Sequence, residues 1–364
     1  MGASYTIGLD IGGTKILGAL LGPDGAVVAQ VRRPTVRGAE GVVAGAAQAV
    51  RDLVDLGGTT LARVAGVGLG IPGIVDHAAG TVRHAVNLGV DGSELPLADL
   101  LSAEIDGVPV VVENDLNVAA VGAAHLLERD TPVHHRAAGA APQSEDLAFV
   151  ALGTGLAAGL VLEGDLRRGV SGAAGEIGHV PIDPAGPECA CGQRGCLEMF
   201  ASGTALATAW PAVHGKPSPV ELFEAAAAGD PGAVAVKARF AGAVASAVRL
   251  LVLTVDVRHV VLGGGVSQLG EPLLEAVQDA LHEQAEGSPF LTSLALHERV
   301  RIAPQGVPVA AVGAAVLGRE GASRRGAVAT DGDGGGDGGR RASARVPGGP
   351  DDGGHDWPHD ETRS

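Results

Sequence analysis

An α/β fold of two lobes is what the sequence predicts, and three observations predict it. The chain has 364 residues, enough for two hydrophobic cores rather than one. Apolar residues make up 46% of it but aromatic ones only 2%, so the interior is one of small aliphatics, as between sheets and helices. Third, "YTIGLDIGGTKILGALLG" and "LAFVALGTGLAAGLVLEGD" each read as strand, glycine-threonine turn, strand, and that recurrence marks two related halves.

The elements follow in order. After the first hairpin the chain turns at Pro23-Asp24-Gly25 and resumes as a strand. "GVVAGAAQAVRDLVDLG" has the period of a helix, and "VAGVGLGIPGIVD" returns to strand and turn. "VPVVVEND" is a buried-strand pattern closed by three polar residues, and "LNVAAVGAAHLLERD" after it is helical. The polar stretch 131–146 reads as an exposed loop; the second hairpin follows it. Helices occupy much of 201–251, "HVVLGGGVS" is strand then glycine loop, and "EPLLEAVQDALHEQA" is a helix. From Gly321 onward the chain is dominated by Gly, Asp, Arg and Ser, which bury too little apolar surface to offset ordering entropy, so 321–364 is expected to be a disordered tail.

A formal net charge of −16 opposes nucleic-acid and anionic-membrane partners, which a polyanionic surface repels, and leaves a small molecule as the expected partner. The first apolar stretch has no basic leader and is interrupted by Asp10 and Lys15, so a cytoplasmic protein is expected. The longest apolar run, "LLVLTVDV", is too short to span a bilayer. "MGASYT" matches the loose myristoylation pattern, but Tyr5 and Thr6 open the first strand.

All three cysteines, Cys189, Cys191 and Cys196, fall in one Gly/Pro-rich loop. Their odd number and the absence of an export signal argue against a structural disulfide, and C-x-C is not the C-x-x-C of redox pairs. Zinc fits better: structural sites favour thiolates and close with four ligands, and the nearby imidazole is His179, ten residues before Cys189. Four protein ligands leave no open position, which makes the metal structural.

"DIGGTK", Asp10 to Lys15, offers unobstructed backbone N–H groups at Gly12 and Gly13, the Thr14 hydroxyl and the Lys15 cation, parts that suit phosphate oxygens. It lacks the GxxxxGK[ST] spacing of a P-loop, and strand follows where a helix would be required. Asp10 is placed to hold Mg²⁺, directly or through water. Gly153-Thr154-Gly155 repeats the chemistry, and Gly263-Gly264-Gly265 precedes a helix; two such turns across a cleft suit a triphosphate. "GLGIPG", Gly68 to Gly73, matches GxGxxG but contains Pro72 and opens no helix, so it is not a dinucleotide site.

Glu113-Asn114-Asp115 closes a strand and opens a helix, at the strand end where α/β folds meet their ligands. An Asp there suits deprotonation of a substrate alcohol during phosphoryl transfer; it equally suits a plain helix cap.

Together Asp10 to Lys15, Glu113-Asn114-Asp115, Gly175-Glu176-Ile177-Gly178-His179, the CxCGxxGCxE segment Cys189 to Glu198 and the glycine turn at Gly263 resemble the ROK family of repressors, open reading frames and sugar kinases, over residues 5–318. The resemblance implies a two-lobed, actin-like ATPase fold (ribonuclease H-like, hexokinase type), with ATP and sugar meeting in a cleft between lobes. It implies a small lobe at 1–120 completed by 303–320, and a larger one at 121–302 carrying the zinc loop 179–198. Asp115 is then the base for the sugar 6-hydroxyl. Gly73, Asn87, Asn114, Glu176, His179 and Glu198 are sugar ligands, and His179 serves metal and sugar, one ring nitrogen to each. The implied activity is an ATP-dependent hexokinase acting with Mg²⁺, a glucokinase first. N-acetylmannosamine, N-acetylglucosamine, fructose or allose are alternative substrates, and a homodimer or higher homo-oligomer is the implied assembly. "DIGGTK" favours ATP over polyphosphate. The family's repressors carry an N-terminal DNA-binding domain, for which no room precedes Asp10, so a sugar-sensing regulator is the lesser alternative. Two positions depart from the pattern: Ala157 and Ala158 stand where glycines are common, and "NLGVDG" after Asn87 lacks the tryptophan common in the family's glucokinases.

Overall fold

The computed structural model describes residues 4–90, 94–130 and 146–331, with side chains in the last stretch described to Ser323. Apart from Asp146, the expected loop at 131–146 lies outside the described residues. In chain order the elements are β1 (Tyr5–Ile11), β2 (Lys15–Leu21), β3 (Val27–Pro34), α1 (Ala39–Leu56), β4 (Val64–Ile71), β5 (Ile74–Asp76), β6 (Thr81–Arg83), α2 (Leu97–Glu104), β7 (Val110–Asn114) and α3 (Asp115–Asp130). They continue with β8 (Leu147–Leu152), β9 (Leu156–Leu162), β10 (Asp165–Leu166), α4 (Glu198–Ala201), α5 (Gly203–Ala209), α6 (Ser218–Ala227) and α7 (Pro231–Val255). The chain then forms β11 (His259–Gly263), α8 (Glu271–Ala285), α9 (Pro289–Ser293), β12 (Val300–Ile302) and α10 (Val309–Asp331).

Two five-stranded sheets repeat one plan. Their orders are β3-β2-β1-β4-β7 and β10-β9-β8-β11-β12. In each, the hairpin side is antiparallel and the last two strands run parallel to the hairpin's first. The carboxyl ends of β1, β4 and β7 therefore share one edge, and those of β8, β11 and β12 share another.

Each sheet has its own core. Val42, Ala46, Val50 and Leu53 place a helical stripe of α1 over Ile7 and Leu9 of β1. Phe240, Val244, Val248 and Leu251 of α7 pack with Val150 of β8 and Leu262 of β11. By length and composition α7 could cross a membrane, which the longest uninterrupted apolar run did not suggest; half of its most apolar window is buried within the protein.

Helices α3 and α10 cross beside the sheets. A Cβ on Gly122 would lie 1.9 Å from the carbonyl oxygen of Val309, and one on Gly313 would lie 1.8 Å from that of Val118. Only paired glycines permit that approach. On its other side α3 packs on β8 and β9, with Ala119, Ala120 and Ala123 against Leu147, Phe149 and Val161. The strand end bearing Asp115 is thus fixed to both sheets.

One boundary differs from expectation. Instead of becoming structureless at Gly321, the chain remains helical to Asp331. Gly321 packs against Val111, and Ala322 stands beside Gly66 of β4, so the sheet supplies burial that local composition does not. Residues through Arg325 form one unit, and the expected tail from 332 onward lies outside the described residues.

Candidate active site

Both glycine turns close on themselves. Gly12 N–H donates to the carbonyl of Lys15 at 2.9 Å, and Gly153 N–H to that of Gly155 at 3.1 Å. Thr35 braces the first turn, its hydroxyl donating to Gly12 O at 2.7 Å. Gly264 adopts φ 84°, a region that favours glycine. The run Gly263 to Gly265 leads into a 3-10 turn, Val266–Leu269, and only then into α8. Asp10, Lys15, Gly153, Gly155 and Gly263 to Gly265 all line one cleft of about 810 Å³.

The same cleft holds Asn114 and Asp115. Register explains why: Asp10 pairs with Gly70, and Gly70 with Glu113, so the ends of β1 and β7 lie level across β4. Leu116 N–H is bonded by Asn114 Oδ1 at 3.0 Å and Asp115 Oδ1 at 2.9 Å. Capping is thereby shared by Asn114, and Asp115 keeps acceptor capacity at the cleft. Burial raises the pKa of Asp115, against the lowering effect of the Leu116 N–H. Asp10 is pushed up to about 7 by burial first and by the charge of Asp115 second, with Lys15 opposing. Two enclosed carboxyls beside one lysine form a donor set that suits a divalent cation.

A pH dependence follows. Asp10 holds its proton more tightly folded, at about 7, than at its ordinary 3.8. Its stabilising contribution is therefore complete below the lower value and lost as pH rises through about 7 in the nucleotide-free protein. Denaturant titrations from pH 4 to 8 should show wild type losing stability relative to Asp10→Asn as pH rises; a pH-independent difference would rule this out.

The opposite wall is Glu176, His179 and Glu198, all in the cleft lining. Their loop is held by glycine contacts: Gly175, at φ 88°, accepts from Ala158 N–H at 2.8 Å, and a Cβ on Gly178 would lie 2.0 Å from the carbonyl oxygen of Leu156. Behind it the donor atoms of His179, Cys189, Cys191 and Cys196 all lie within 4.8 Å of one another. His179 Nδ1 is 3.7 Å from Cys189 Sγ, and Cys191 Sγ is 3.6 Å from Cys196 Sγ. Three thiols and an imidazole at this spacing fit tetrahedral zinc. The thiol of Cys191 is lowered to about 6, foremost by the Gln193 side-chain amide, whereas that of Cys189, against the lowering Cys191 backbone, is pushed up to about 12 by Glu198 and burial, and burial raises that of Cys196. His179 Nε2 is 3.9 Å from Glu176 Oε2, so the ring's two nitrogens face different groups. Glu198 lies between the walls: its Oε1 is 3.0 Å from Cys189 Sγ, and its Oε2 would lie 2.8 Å from a Cβ on Gly155.

Several expected residues lie outside the cleft lining. Gly12, Gly13 and Thr14 of the first turn are among them, as is Asn87, which packs against Gly13. Gly73 adopts φ 113° and packs on Arg83 and Ala85, at the base of the β5–β6 hairpin. Thr154 lines an adjoining cavity of about 650 Å³ with Phe200, Arg239 and Phe240. Ser267 and Gln268, which line the main cleft, were not among the expected residues. Their position just after the glycine run was the available signal.

The ROK family model matches residues 6–320. The glucokinase of Halalkalibacterium halodurans is 32% identical over 313 residues, 80% of this chain and 90% of that protein. The N-acetylmannosamine kinase of Citrobacter koseri is 33% identical over 279 residues, 77% and 89% of the two chains. The crystal structure of a ROK family glucokinase from Streptomyces griseus in complex with glucose and AMPPNP superposes with a TM-score of 0.66 at 32% identity, covering 87% of this chain and 100% of that one. The twin sheets, the two glycine turns and the Cys/His loop now have a common explanation: this chain belongs to the ROK family, with its two-lobed, actin-like ATPase fold of the hexokinase type.

Proposed function

We propose that the protein is an ATP-dependent hexokinase that phosphorylates the 6-hydroxyl of glucose. The observation that carries this reading is the single cleft in which Asp115, the glycine turns and the Glu176–His179–Glu198 wall converge. In this reading the sugar lies against that wall, its ring hydroxyls meeting two carboxylates, an imidazole and the Asn114 side-chain amide. A site built this way rejects epimers because a missing hydroxyl leaves its own polar groups unpaired. The 6-hydroxyl faces Asp115, which takes its proton as the oxygen bonds to the γ-phosphorus and the bond from phosphorus to the β,γ-bridging oxygen breaks, releasing ADP. Phosphoryl transfer asks mainly for positioning and charge neutralisation. Lys15 and the backbone N–H groups of the two turns other than those of Gly12 and Gly153, which the turns themselves use, provide these, and Asp10 would hold Mg²⁺, which when bound neutralises phosphate charge. His179, Cys189, Cys191 and Cys196 would hold zinc, which when bound fixes the wall. In this reading the protein works in the cytoplasm, where ATP and free sugar are both supplied.

An N-acetylmannosamine kinase is the second reading, supported by the Citrobacter relative and by the missing tryptophan after Asn87. Coupled ADP release across a panel of hexoses and N-acetylhexosamines decides between them. Glucose should give the highest kcat/KM; a higher value for N-acetylmannosamine overturns the assignment, and no turnover with any sugar overturns the kinase reading.

A further inference from the structure

We propose that Glu113 and Arg168 are positioning residues that set Asp115 against the sugar-binding loop, an inference that rests on the kinase reading above. Glu113 is only 5% exposed, two residues before Asp115, and does not line the cleft. A buried carboxylate is costly unless its lone pairs are met. Here both oxygens are engaged. Oε1 accepts the Asn114 N–H, at the end of β7, at 3.0 Å and the Asn117 side-chain amide, in the first turn of α3, at 2.8 Å. Oε2 accepts Nε of Arg168 at 2.7 Å and lies 2.7 Å from its Nη2.

Arg168 belongs to the other half of the molecule, two residues after β10. Its carbonyl accepts the Ala174 N–H at 3.2 Å, closing the turn that leads into Gly175-Glu176. One carboxylate is therefore tied on one side to the helix start that bears the base and on the other to the root of the loop that bears Glu176 and His179. A guanidinium that aims two N–H groups at one oxygen fixes direction as well as distance, which a lysine ammonium does not. A misplacement of about 1 Å between reacting groups costs on the order of 100-fold in rate, so this tie bears on turnover although it touches no substrate.

The test uses full-length, zinc-loaded protein and four variants: Arg168→Lys, Arg168→Ala, Glu113→Gln and the Glu113→Gln/Arg168→Ala double. With the best sugar of the panel, each single variant should lose kcat by about tenfold or more while KM for ATP stays within about twofold, because the phosphate turns are not in this network. The double variant should be no slower than the slower single, as for two halves of one device. Guanidinium ion in the millimolar range should return part of the kcat of Arg168→Ala but not of Glu113→Gln. Zinc content and melting temperature verify folding, and Arg168→Lys carries the test if Arg168→Ala does not fold. Wild-type kcat in Arg168→Lys and Glu113→Gln, or additive losses with no guanidinium recovery, overturns the proposal alone. A wild-type chain inert toward every sugar overturns the kinase reading and this proposal with it.

Discussion

Asp115→Asn is expected to lower kcat by about 10²- to 10⁴-fold, the usual worth of a positioned general base, while the dissociation constant for sugar changes by no more than about threefold. That loss corresponds to roughly 3–5 kcal/mol of barrier. The substitution is nearly isosteric, and an amide oxygen can still accept the Leu116 N–H that Asp115 accepts now, so the start of α3 should survive. What disappears is proton affinity. The raised pKa of Asp115 brings the carboxyl nearer to the working pH, which is the direction a base needs to take a proton in the transition state. Asp10→Asn is the informative control, because Asp10 lies beside Lys15 on the phosphate side. Its loss should appear first in KM for Mg·ATP. Kinetics by coupled ADP release and sugar binding by calorimetry separate the two. Near-normal turnover in Asp115→Asn would remove the base from the mechanism.

What could be read from the sequence was what is local. The glycine-bent hairpins, the strand ending at Asn114 and the helix after it are short-range patterns, and each lies where its periodicity placed it. The Cys/His cluster was legible for the same reason: a ten-residue separation between His179 and Cys189 within one loop leaves few other partners. Long-range relations were not legible. Nothing in the residues around Arg168 announces that it reaches Glu113, 55 positions away. The extension of α10 past Gly321 escaped because composition was averaged over a tail whose first residues rest on β4 and β7. Helix α7 shows the converse. Its apolar character is spread through Ala, Gly and Val rather than gathered in a run, and the core packing of Phe240, Val244 and Val248 makes sense of it.

Removing the proposed zinc should disable the enzyme through its sugar site rather than through the nucleotide turns. The loop from Val180 to Cys196 has little apolar burial of its own: Val180 and Ile182 are exposed, while Cys189 and Cys196 are buried. Its backbone order consists of two isolated bridges, Pro181 with Cys196 and Glu188 with Arg194, and a few turn hydrogen bonds such as Cys189 N–H to Gln193 O and Gly195 N–H to Pro187 O. A thiolate-bound ion that releases about 10–16 kcal/mol on binding, as structural zinc does in small peptides, outweighs anything this loop gains from packing. Wild-type protein should therefore carry one zinc per chain, and Cys196→Ser should carry almost none. With its Nδ1 partner gone, His179 loses the constraint that presents its other nitrogen to the cleft. KM for sugar should then rise by about 10- to 100-fold, the range for losing a metal's supporting contacts, with KM for ATP changed far less. Chelation of the wild type should reproduce the pattern, and added zinc should reverse it in the wild type but not in Cys196→Ser. Metal analysis beside two-substrate kinetics provides the check, and a metal-free preparation with wild-type KM for sugar would leave the three cysteines without the role assigned to them.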